Sequence, residues 1–355
     1  MIAAGGTGGH LYPGIAIARE ILSEAGNEVL FVGTEQGIEA RVLPKEDLPV
    51  RFISVGKLKG MGFGSVLKTF ITMPRSLIQS IGLLRQERPH AVVGVGGYAS
   101  GPIALAAWLL RTPLVIVEPN SYAGLANRLA GKFAAKIFVC FPGRDTQGFF
   151  PEKKKVLTGP LVRKGITAGD RGQALKAFGL EAGRFTLFIM GGSGGAHAIN
   201  MSMKEAALEL RSVENLQVLH QTGEKDGEEV KAGYQAAGVK AVVLPYINDM
   251  AGAYAAADLV VSRSGATTVA ELAVCGKRAV LIPYPFAADN HQEYNARSLA
   301  KRGGGEVIVQ KDLTPAKLAA VIQRFARDRD GAMSPLTSNA AQEIVRACKD
   351  NVQKD

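Results

Sequence analysis

The sequence has few cysteines and no long apolar run. Its three cysteines, Cys140, Cys275 and Cys348, are too far apart for a metal site and do not form a disulfide framework, which favours a reducing compartment. The most apolar stretch, Pro102–Leu110, ends at Arg111 and has about half the length that a membrane-spanning helix needs. A disulfide-stapled domain and an integral membrane protein are therefore excluded, and a soluble or peripherally bound protein is predicted.

Aromatic residues are also scarce, at 6% of the chain, and only one of them is a tryptophan. The 42 basic and 32 acidic residues give a net charge of +10, which favours anionic partners: phosphates, nucleic acid or an anionic membrane surface. Few aromatic residues lie among the basic ones, and this argues against nucleic-acid recognition by base stacking. The composition therefore predicts no nucleic-acid partner and leaves phosphate ligands and anionic lipid.

Two glycine turns are the most informative features that are present. The first, Gly5–Gly9, is followed by His10, and the second, Gly191–Gly195, is followed by His197. Each comes after an apolar strand and before a helix, where backbone N–H groups and the helix dipole can hold a phosphate. The alternative is a tight strand-to-helix turn with no ligand. The dinucleotide fingerprint fails at Leu11 and His197, so no cofactor is predicted.

The length of 355 residues suits two domains. Apolar runs such as Phe185–Met190 alternate with amphipathic helical runs, and the pattern starts again after Gly159-Pro160. This alternation predicts two doubly wound, Rossmann-like α/β domains with parallel sheets.

Polar residues cluster where several predicted strands end, which is where such folds place active-site groups. Examples are Glu118-Pro119-Asn120, Ser262–Thr268 and Asp289–Asn295. The sequence Ser264-Gly265-Ala266 opens a helix whose N–H groups would face a diphosphate, and Glu271 could accept hydrogen bonds from a ribose diol. The alternative for Glu271 is a helix residue paired with a lysine.

A basic and apolar segment runs from Lys57 to Arg88, with six basic residues and one acid. We expect a glycine-rich loop to Gly64 and then a helix from Ser65, as N-cap, to Gln86. Such a helix can lie on an anionic membrane, with Trp108 nearby, and the alternative is a core helix with solvated ends.

Five motifs occur together in one order: Gly5–His10, Gly191–Ser193, His220–Gly223, Ser262–Ala266 with Glu271, and Asp289–Gln292 with Asn295. In this combination the whole chain closely resembles the peptidoglycan N-acetylglucosaminyltransferases of glycosyltransferase family 28, the MurG family. The resemblance implies the GT-B fold, two Rossmann-like domains that face each other across a cleft. It also implies inverting transfer of GlcNAc from UDP-GlcNAc to the 4-hydroxyl of MurNAc in lipid I, giving lipid II at the cytoplasmic face of the bacterial inner membrane.

The resemblance further implies roles for the domains and for individual residues. Residues 1–157 and the returning C-terminal segment 332–355, with a helix from Leu336 to Val352, would form the acceptor and membrane domain. Residues 158–331 would form the donor domain. The implied donor contacts are Thr7, Gly8, Gly9, Asn120, Asn127, Arg163, Ser193, Ile247, Arg263, Ala266, Glu271 and Gln292. The implied acceptor contacts are Gly5, Gly6, Gly96, Gly97 and Tyr98.

The chemistry needs a base for the acceptor hydroxyl and positive groups for the departing UDP. Helix N-termini with Arg163 or Arg263 would supply the positive groups, so we expect no metal. His10 is the first choice for the base because an imidazole titrates near neutrality, and Glu118 is the second. The strand before the first turn has only Met1–Ala4, less than is usual in the family, and weak support for this turn is expected.

Three other functions remain open at this point. They are a GT-B enzyme with a different acceptor, a UDP-GlcNAc 2-epimerase, and a nucleotide-binding or scaffold protein without turnover. A requirement for a polyprenyl-diphosphate acceptor in UDP release would distinguish them.

Overall fold

In the computed structural model, the described residues are 1–55, 63–142, 148–328 and 333–352. The chain divides into two compact units. Unit 1 comprises Met1–Arg163 and Ser338–Asp355, and unit 2 comprises Lys164–Thr337.

The core of unit 1 is a parallel sheet of seven strands in the order β3-β2-β1-β4-β5-β6-β7. These strands are β1 Ile2–Ala4, β2 Phe31–Gly33, β3 Val50–Phe52, β4 Val92–Gly96, β5 Leu114–Glu118, β6 Lys136–Val139 and β7 Lys155–Leu157. The short β1 is fully buried between β2 and β4. The chain runs outward from β1 in one direction and then restarts at β4, so the strand order reverses between these two strands.

Helices cover the sheet of unit 1. They are α1 Gly8–Ile21, α2 Glu39–Val42, α3 Phe63–Glu87, α4 Ser100–Leu109, α5 Leu125–Ala130 and the C-terminal helix Ala340–Val352. The C-terminal helix packs on α1, and its Lys349 pairs with Glu24, which follows α1.

Some predicted helix boundaries are wrong. Because α3 begins at Phe63, Ser65 lies within the helix and is not its N-cap. Residues 57–62 of the predicted Lys57–Gly64 loop lie outside the described residues, as do the side chains of 63–72. The C-terminal helix begins at Ala340 and not at Leu336; Leu336 belongs to unit 2, where its N–H donates to the Ala273 carbonyl.

Unit 2 is built in the same way around a parallel sheet of six strands in the order β10-β9-β8-β11-β12-β13. The strands are β8 Phe185–Met190, β9 Leu216–Gln221, β10 Ala241–Leu244, β11 Leu259–Ser262, β12 Ala279–Leu281 and β13 Gly305–Val307. The helices are α6 Arg171–Ala177, α7 His197–Leu210, α8 Gly227–Ala236, α9 Met250–Ala256, α10 Ala266–Val274, α11 His291–Ala300 and α12 Pro315–Arg327. Here the strand order reverses between β8 and β11.

The central strands are buried along their whole length, as expected for a parallel sheet covered by helices on both faces. All six residues of β8 and of β9 are buried. The predicted fold class of two doubly wound α/β domains is therefore confirmed. No described helix is both long enough and apolar enough to cross a bilayer.

Candidate active site

In an open parallel sheet, ligands bind outside the carboxyl ends of the strands, at the point where the strand order reverses. Unit 1 places the first glycine turn after β1 and the loop Gly96–Tyr98 after β4, its neighbour. Unit 2 places the second glycine turn after β8 and the start of α10 after the neighbouring β11. Each glycine turn therefore lies at such a reversal point.

In unit 1 the two loops touch each other closely. A Cβ atom on Gly97 would lie 2.3 Å from the Gly5 carbonyl oxygen, and one on Gly96 would lie 2.6 Å from the His10 ring. Both glycines also have positive φ angles, +91° and +122°. The Tyr98 ring lies beside Gly6. The structure thus brings the predicted acceptor residues together with His10.

His10 is the third residue of α1 and is half-buried. Its Nδ1 lies 3.3 Å from the Thr7 hydroxyl oxygen, which precedes the helix. When Nδ1–H donates to this hydroxyl, Nε2 carries the lone pair that a base needs. The N-cap of α1 is Thr7, and its first two residues are Gly8 and Gly9. The backbone N–H groups of the first helical turn point out of this end of the helix.

The carboxylate of Glu39 lies directly beneath the first turn, and the sequence had assigned it no role. Its Oε2 accepts the Gly6 N–H at 2.8 Å, and its Oε1 accepts the Thr34 N–H at 2.8 Å and the Thr34 hydroxyl at 3.0 Å. A Cβ atom on Gly5, Gly33 or Gly37 would overlap the Glu39 side chain, at 2.4 Å or less. The spacing of these glycines around Glu39 is the signal that could have identified it.

Glu118 has no exposed surface, and both of its oxygens are occupied. Its Oε1 accepts the backbone and side-chain N–H groups of Asn120 at 2.9 and 3.1 Å. Its Oε2 accepts the Gly124 N–H at 2.9 Å and the Asn127 side-chain N–H at 3.0 Å. Burial raises the pKa of the Glu118 carboxyl. Glu118 therefore holds Asn120 and Asn127 in place after β5, and of the two predicted bases only His10 has exposed surface.

Arg163, the last residue of the first segment of unit 1, lies with its guanidinium carbon 5.2 Å from the centre of the Tyr12 ring. Tyr12 in turn packs on Gly8. Arg163 is thereby placed beside the start of α1.

In unit 2 the second turn packs on the residues after β9, backbone against backbone. A Cβ atom on Gly195 would lie 1.9 Å from the Thr222 carbonyl oxygen, and one on Gly223 would lie 2.4 Å from that of Gly194. Ser193 is exposed at the tip of the turn. The following helix, α7, begins at His197.

A buried polar network supports this turn. His220 lies 3.0 Å from the Tyr234 hydroxyl through Nδ1 and 3.1 Å from the Asn200 Oδ1 through Nε2. Asn200 donates to the Thr222 carbonyl, on which the turn packs. Burial lowers the pKa of His220 to about 3, so this imidazole stays neutral and structural.

The predicted donor residues on α10 and α11 lie near one another in unit 2. Ala266 is the first residue of α10, and the buried Glu271, one turn later, accepts the Tyr254 hydroxyl at 3.0 Å. The side-chain oxygen of Gln292 accepts the Tyr284 N–H at 3.0 Å, and its carbonyl accepts the Ser264 hydroxyl at 2.7 Å.

Arg263 is anchored at the exit of β12. Its guanidinium donates to the carbonyls of Ile282 and Pro283 and to the Gln310 side chain, at 3.2, 3.1 and 2.7 Å. Burial lowers the pKa of Arg263. These bonds fix the strand exit, and a role at the departing UDP stays a prediction. Ile247, after β10, is buried, and its N–H donates to Gln221.

Comparison with known proteins assigns the chain to a family. Residues 1–139 match the model of the glycosyltransferase family 28 N-terminal domain, and residues 186–351 match that of the family 28 C-terminal domain. The chain belongs to glycosyltransferase family 28. This membership confirms the predicted family and the predicted enzyme class, a glycosyltransferase.

Family 28 relatives match along the whole chain. A protein of Anaeromyxobacter sp. is 45% identical, with 100% of this chain and 93% of that protein covered, and one of Citrifermentans bemidjiense is 44% identical, with 98% of both covered. Both are named UDP-N-acetylglucosamine--N-acetylmuramyl-(pentapeptide) pyrophosphoryl-undecaprenol N-acetylglucosamine transferase. The crystal structure of Acinetobacter baumannii MurG is 31% identical with a TM-score of 0.77, covering 99% of this chain and 98% of that one. These similarities confirm the GT-B fold.

Proposed function

We propose that this chain transfers GlcNAc from UDP-GlcNAc to the 4-hydroxyl of MurNAc in lipid I and so forms lipid II for peptidoglycan synthesis. The observation that carries the proposal is the half-buried imidazole of His10, held between two glycine loops where the strand order of unit 1 reverses. The full-length relatives, which are named for this transfer, support it.

The acceptor side lies in unit 1. Gly5, Gly6 and the loop Gly96–Tyr98 receive the lipid diphosphate and MurNAc, and Nε2 of His10 takes the proton of the 4-hydroxyl. That oxygen attacks the anomeric carbon of GlcNAc from the face opposite UDP. The new C–O bond forms as the bond to the diphosphate breaks, and UDP leaves with the electron pair. A single displacement of this kind inverts the anomeric configuration.

The donor side lies mainly in unit 2. The N–H groups at Ser193 and at Ala266, the start of α10, face the diphosphate, since a helix N-terminus stabilises negative charge there. Glu271 accepts hydrogen bonds from the ribose diol. Gln292 binds the GlcNAc sugar, and the loop at Ile247 contacts the uracil.

The remaining donor contacts in this proposal come from unit 1 and from the residue that follows β11. They are Thr7, Gly8, Gly9, Asn120, Asn127, Arg163 and Arg263. We also propose the domain roles that the resemblance implies. Residues 1–157 and 332–355 form the acceptor domain, and residues 158–331 form the donor domain.

The proposed membrane contact is an apolar face of unit 1 that would bind the cytoplasmic leaflet. Ile78 on α3 is 70% exposed and Trp108 on α4 is 49% exposed, and these two helices pack together. The Trp108 ring lies 4.7 Å from that of Phe133. Arg111, three residues after Trp108, and Lys132, directly before Phe133, are both exposed and would attract anionic lipid.

The transfer itself is tested with UDP-[¹⁴C]GlcNAc and a lipid I analogue. We expect labelled disaccharide-lipid, with UDP released only when the acceptor is present. Release of UDP in the absence of acceptor, or formation of a 2-epimer, would contradict the proposal.

The membrane contact is tested separately by co-sedimentation with vesicles of neutral lipid alone or with added anionic lipid, at low and high salt. We expect binding that needs anionic lipid and weakens with salt, and a lower bound fraction for Trp108→Ala. Leu208→Ala is the control, since Leu208 is 63% exposed on α7 of unit 2. Equal losses in the two variants would exclude the proposed face.

A further inference from the structure

The side chain of Gln221 joins two loops of the proposed donor site. It is the last residue of β9, which lies between β8 and β10 in the sheet of unit 2. Because these strands are parallel, the loops that follow all three leave from the same edge. Gln221 is only 3% exposed.

Each end of the Gln221 amide bonds to a different loop. Its Nε2 donates to the Gly192 carbonyl at 2.9 Å, in the second turn after β8. Its Oε1 accepts the Ile247 N–H at 2.8 Å, in the loop after β10. A backbone carbonyl can only accept and a backbone N–H can only donate, so these partners fix the orientation of the amide.

We infer that Gln221 is a positioning residue that sets the spacing between the diphosphate end and the uracil end of the donor site. The inference rests on the proposed function, which places the diphosphate at the second turn and the uracil at Ile247. One planar amide holds the two loops at a fixed separation, so that a bound uridine end presents its diphosphate to a turn already in place. Preorganisation of this kind lowers the cost of ordering a site on binding.

Gln221→Glu tests the two ends separately because it keeps the size and shape of the side chain. One carboxylate oxygen still accepts the Ile247 N–H, whereas the other faces the Gly192 carbonyl and repels it. We expect the dissociation constant for UDP to rise about tenfold or more, since a bond becomes a repulsion. The dissociation constant for uridine, which lacks the diphosphate, should change about twofold or less. The KM for UDP-GlcNAc should rise as the dissociation constant for UDP does. The KM for the lipid acceptor should not change.

A matched control lies on the same strand. Gln217, near the opposite end of β9, is fully buried and makes the same type of bridge, from Nε2 to the Glu181 carbonyl at 2.8 Å and from the Glu181 N–H to Oε1 at 2.9 Å. It lies at the amino-terminal edge of the sheet, away from both loops. Gln217→Glu makes the same chemical change and should lower stability without changing the affinity for UDP.

Calorimetry of UDP and uridine binding to the wild type and both variants decides the question. A Gln221→Glu protein with wild-type affinity for UDP would overturn the inference, and so would equal losses in Gln221→Glu and Gln217→Glu. If Gln221→Glu does not fold, Gln221→Met removes both bonds without adding charge and should weaken UDP and uridine alike. Unchanged UDP affinity there would also overturn the inference. A wild-type chain that does not bind UDP would instead contradict the proposed function.

Discussion

The two glycine turns share a sequence pattern but are held in opposite ways. Under the first turn, the buried carboxylate of Glu39 accepts the Gly6 N–H. Under the second turn, the amide of Gln221 donates to the Gly192 carbonyl. Glu39 therefore occupies a backbone N–H of the first turn and adds a negative charge beneath it. Gln221 occupies only a backbone carbonyl of the second turn.

This difference bears on which turn suits a nucleotide. An anion binds where backbone N–H groups converge, and a nearby negative charge weakens that binding. Gln221 holds the second turn through the Gly192 carbonyl and occupies none of its N–H groups. The Gly195 N–H donates to that carbonyl within the turn, and we propose that the other N–H groups face the diphosphate. In the first turn Glu39 occupies the Gly6 N–H, so this turn, beside His10, has fewer N–H groups for the proposed lipid diphosphate. The same glycine pattern can thus serve either side of a group transfer, depending on what lies beneath it.

The largest effect is expected when the two histidines that follow the glycine turns are compared, because only His10 is proposed as the base. His10→Ala should lower kcat by about 10²–10⁴-fold, the usual contribution of a general base, with nearly unchanged affinity for UDP. His197→Ala is the matched control, because His197 is exposed and pairs with Asp226 at 3.1 Å. It should retain turnover. Steady-state kinetics and UDP titration of both variants check this, and equal turnover in the two variants would remove His10 from the role of base.

The second comparison concerns the supports themselves. Glu39→Gln places an amide N–H against the Gly6 N–H or against the Thr34 N–H, because both face the carboxylate. We expect a loss of about 1–3 kcal/mol in the free energy of unfolding, the cost of leaving a buried donor unsatisfied. Urea unfolding measures this free energy. Glu35→Gln, at an exposed position after β2, the strand that also precedes Glu39, should change the free energy of unfolding little. A Glu39→Gln protein as stable as the wild type would show that the carboxylate is dispensable.

His220 gives the second unit a pH dependence. Its folded pKa, about 3, lies below the ordinary value of 6.5, so the unfolded chain binds a proton that the folded chain does not. The stabilisation from neutral His220 is complete above pH 6.5 and is lost as the pH falls towards 3, by about 1.4 kcal/mol per pH unit, or about 2 kcal/mol at pH 5.

His220→Gln removes this titration, so its free energy of unfolding should fall less between pH 7 and pH 5 than that of the wild type. Parallel slopes for the wild type and His220→Gln would mean that His220 is not held neutral in the fold.

The sequence predicted the central strands because buried parallel strands are continuous apolar runs, and it predicted both turns because glycine marks them. It did not predict the edge strands β7 and β13, which are short and only partly buried. Lys155 begins β7, where it pairs with Ile137. Glu39 and Gln221 were given no role in the site because their partners lie on neighbouring strands, and only the strand order brings these loops together.

The smallest predicted effect concerns the ribose. Glu271 is buried and bonded to the Tyr254 hydroxyl through Oε2, which fixes the direction of its carboxylate. Glu271→Ala should raise the dissociation constant for UDP about tenfold, the value of a hydrogen bond to a charged group. Tyr254→Phe keeps the carboxylate and should weaken UDP less.

Comparing UDP with 2′-deoxy-UDP isolates the ribose contact from general damage to the second unit. The wild type should prefer UDP, and Glu271→Ala should bind both nucleotides equally, because the group that reads the diol is gone. If Glu271→Ala keeps the full preference, Glu271 only packs within the helix and the ribose contact lies elsewhere.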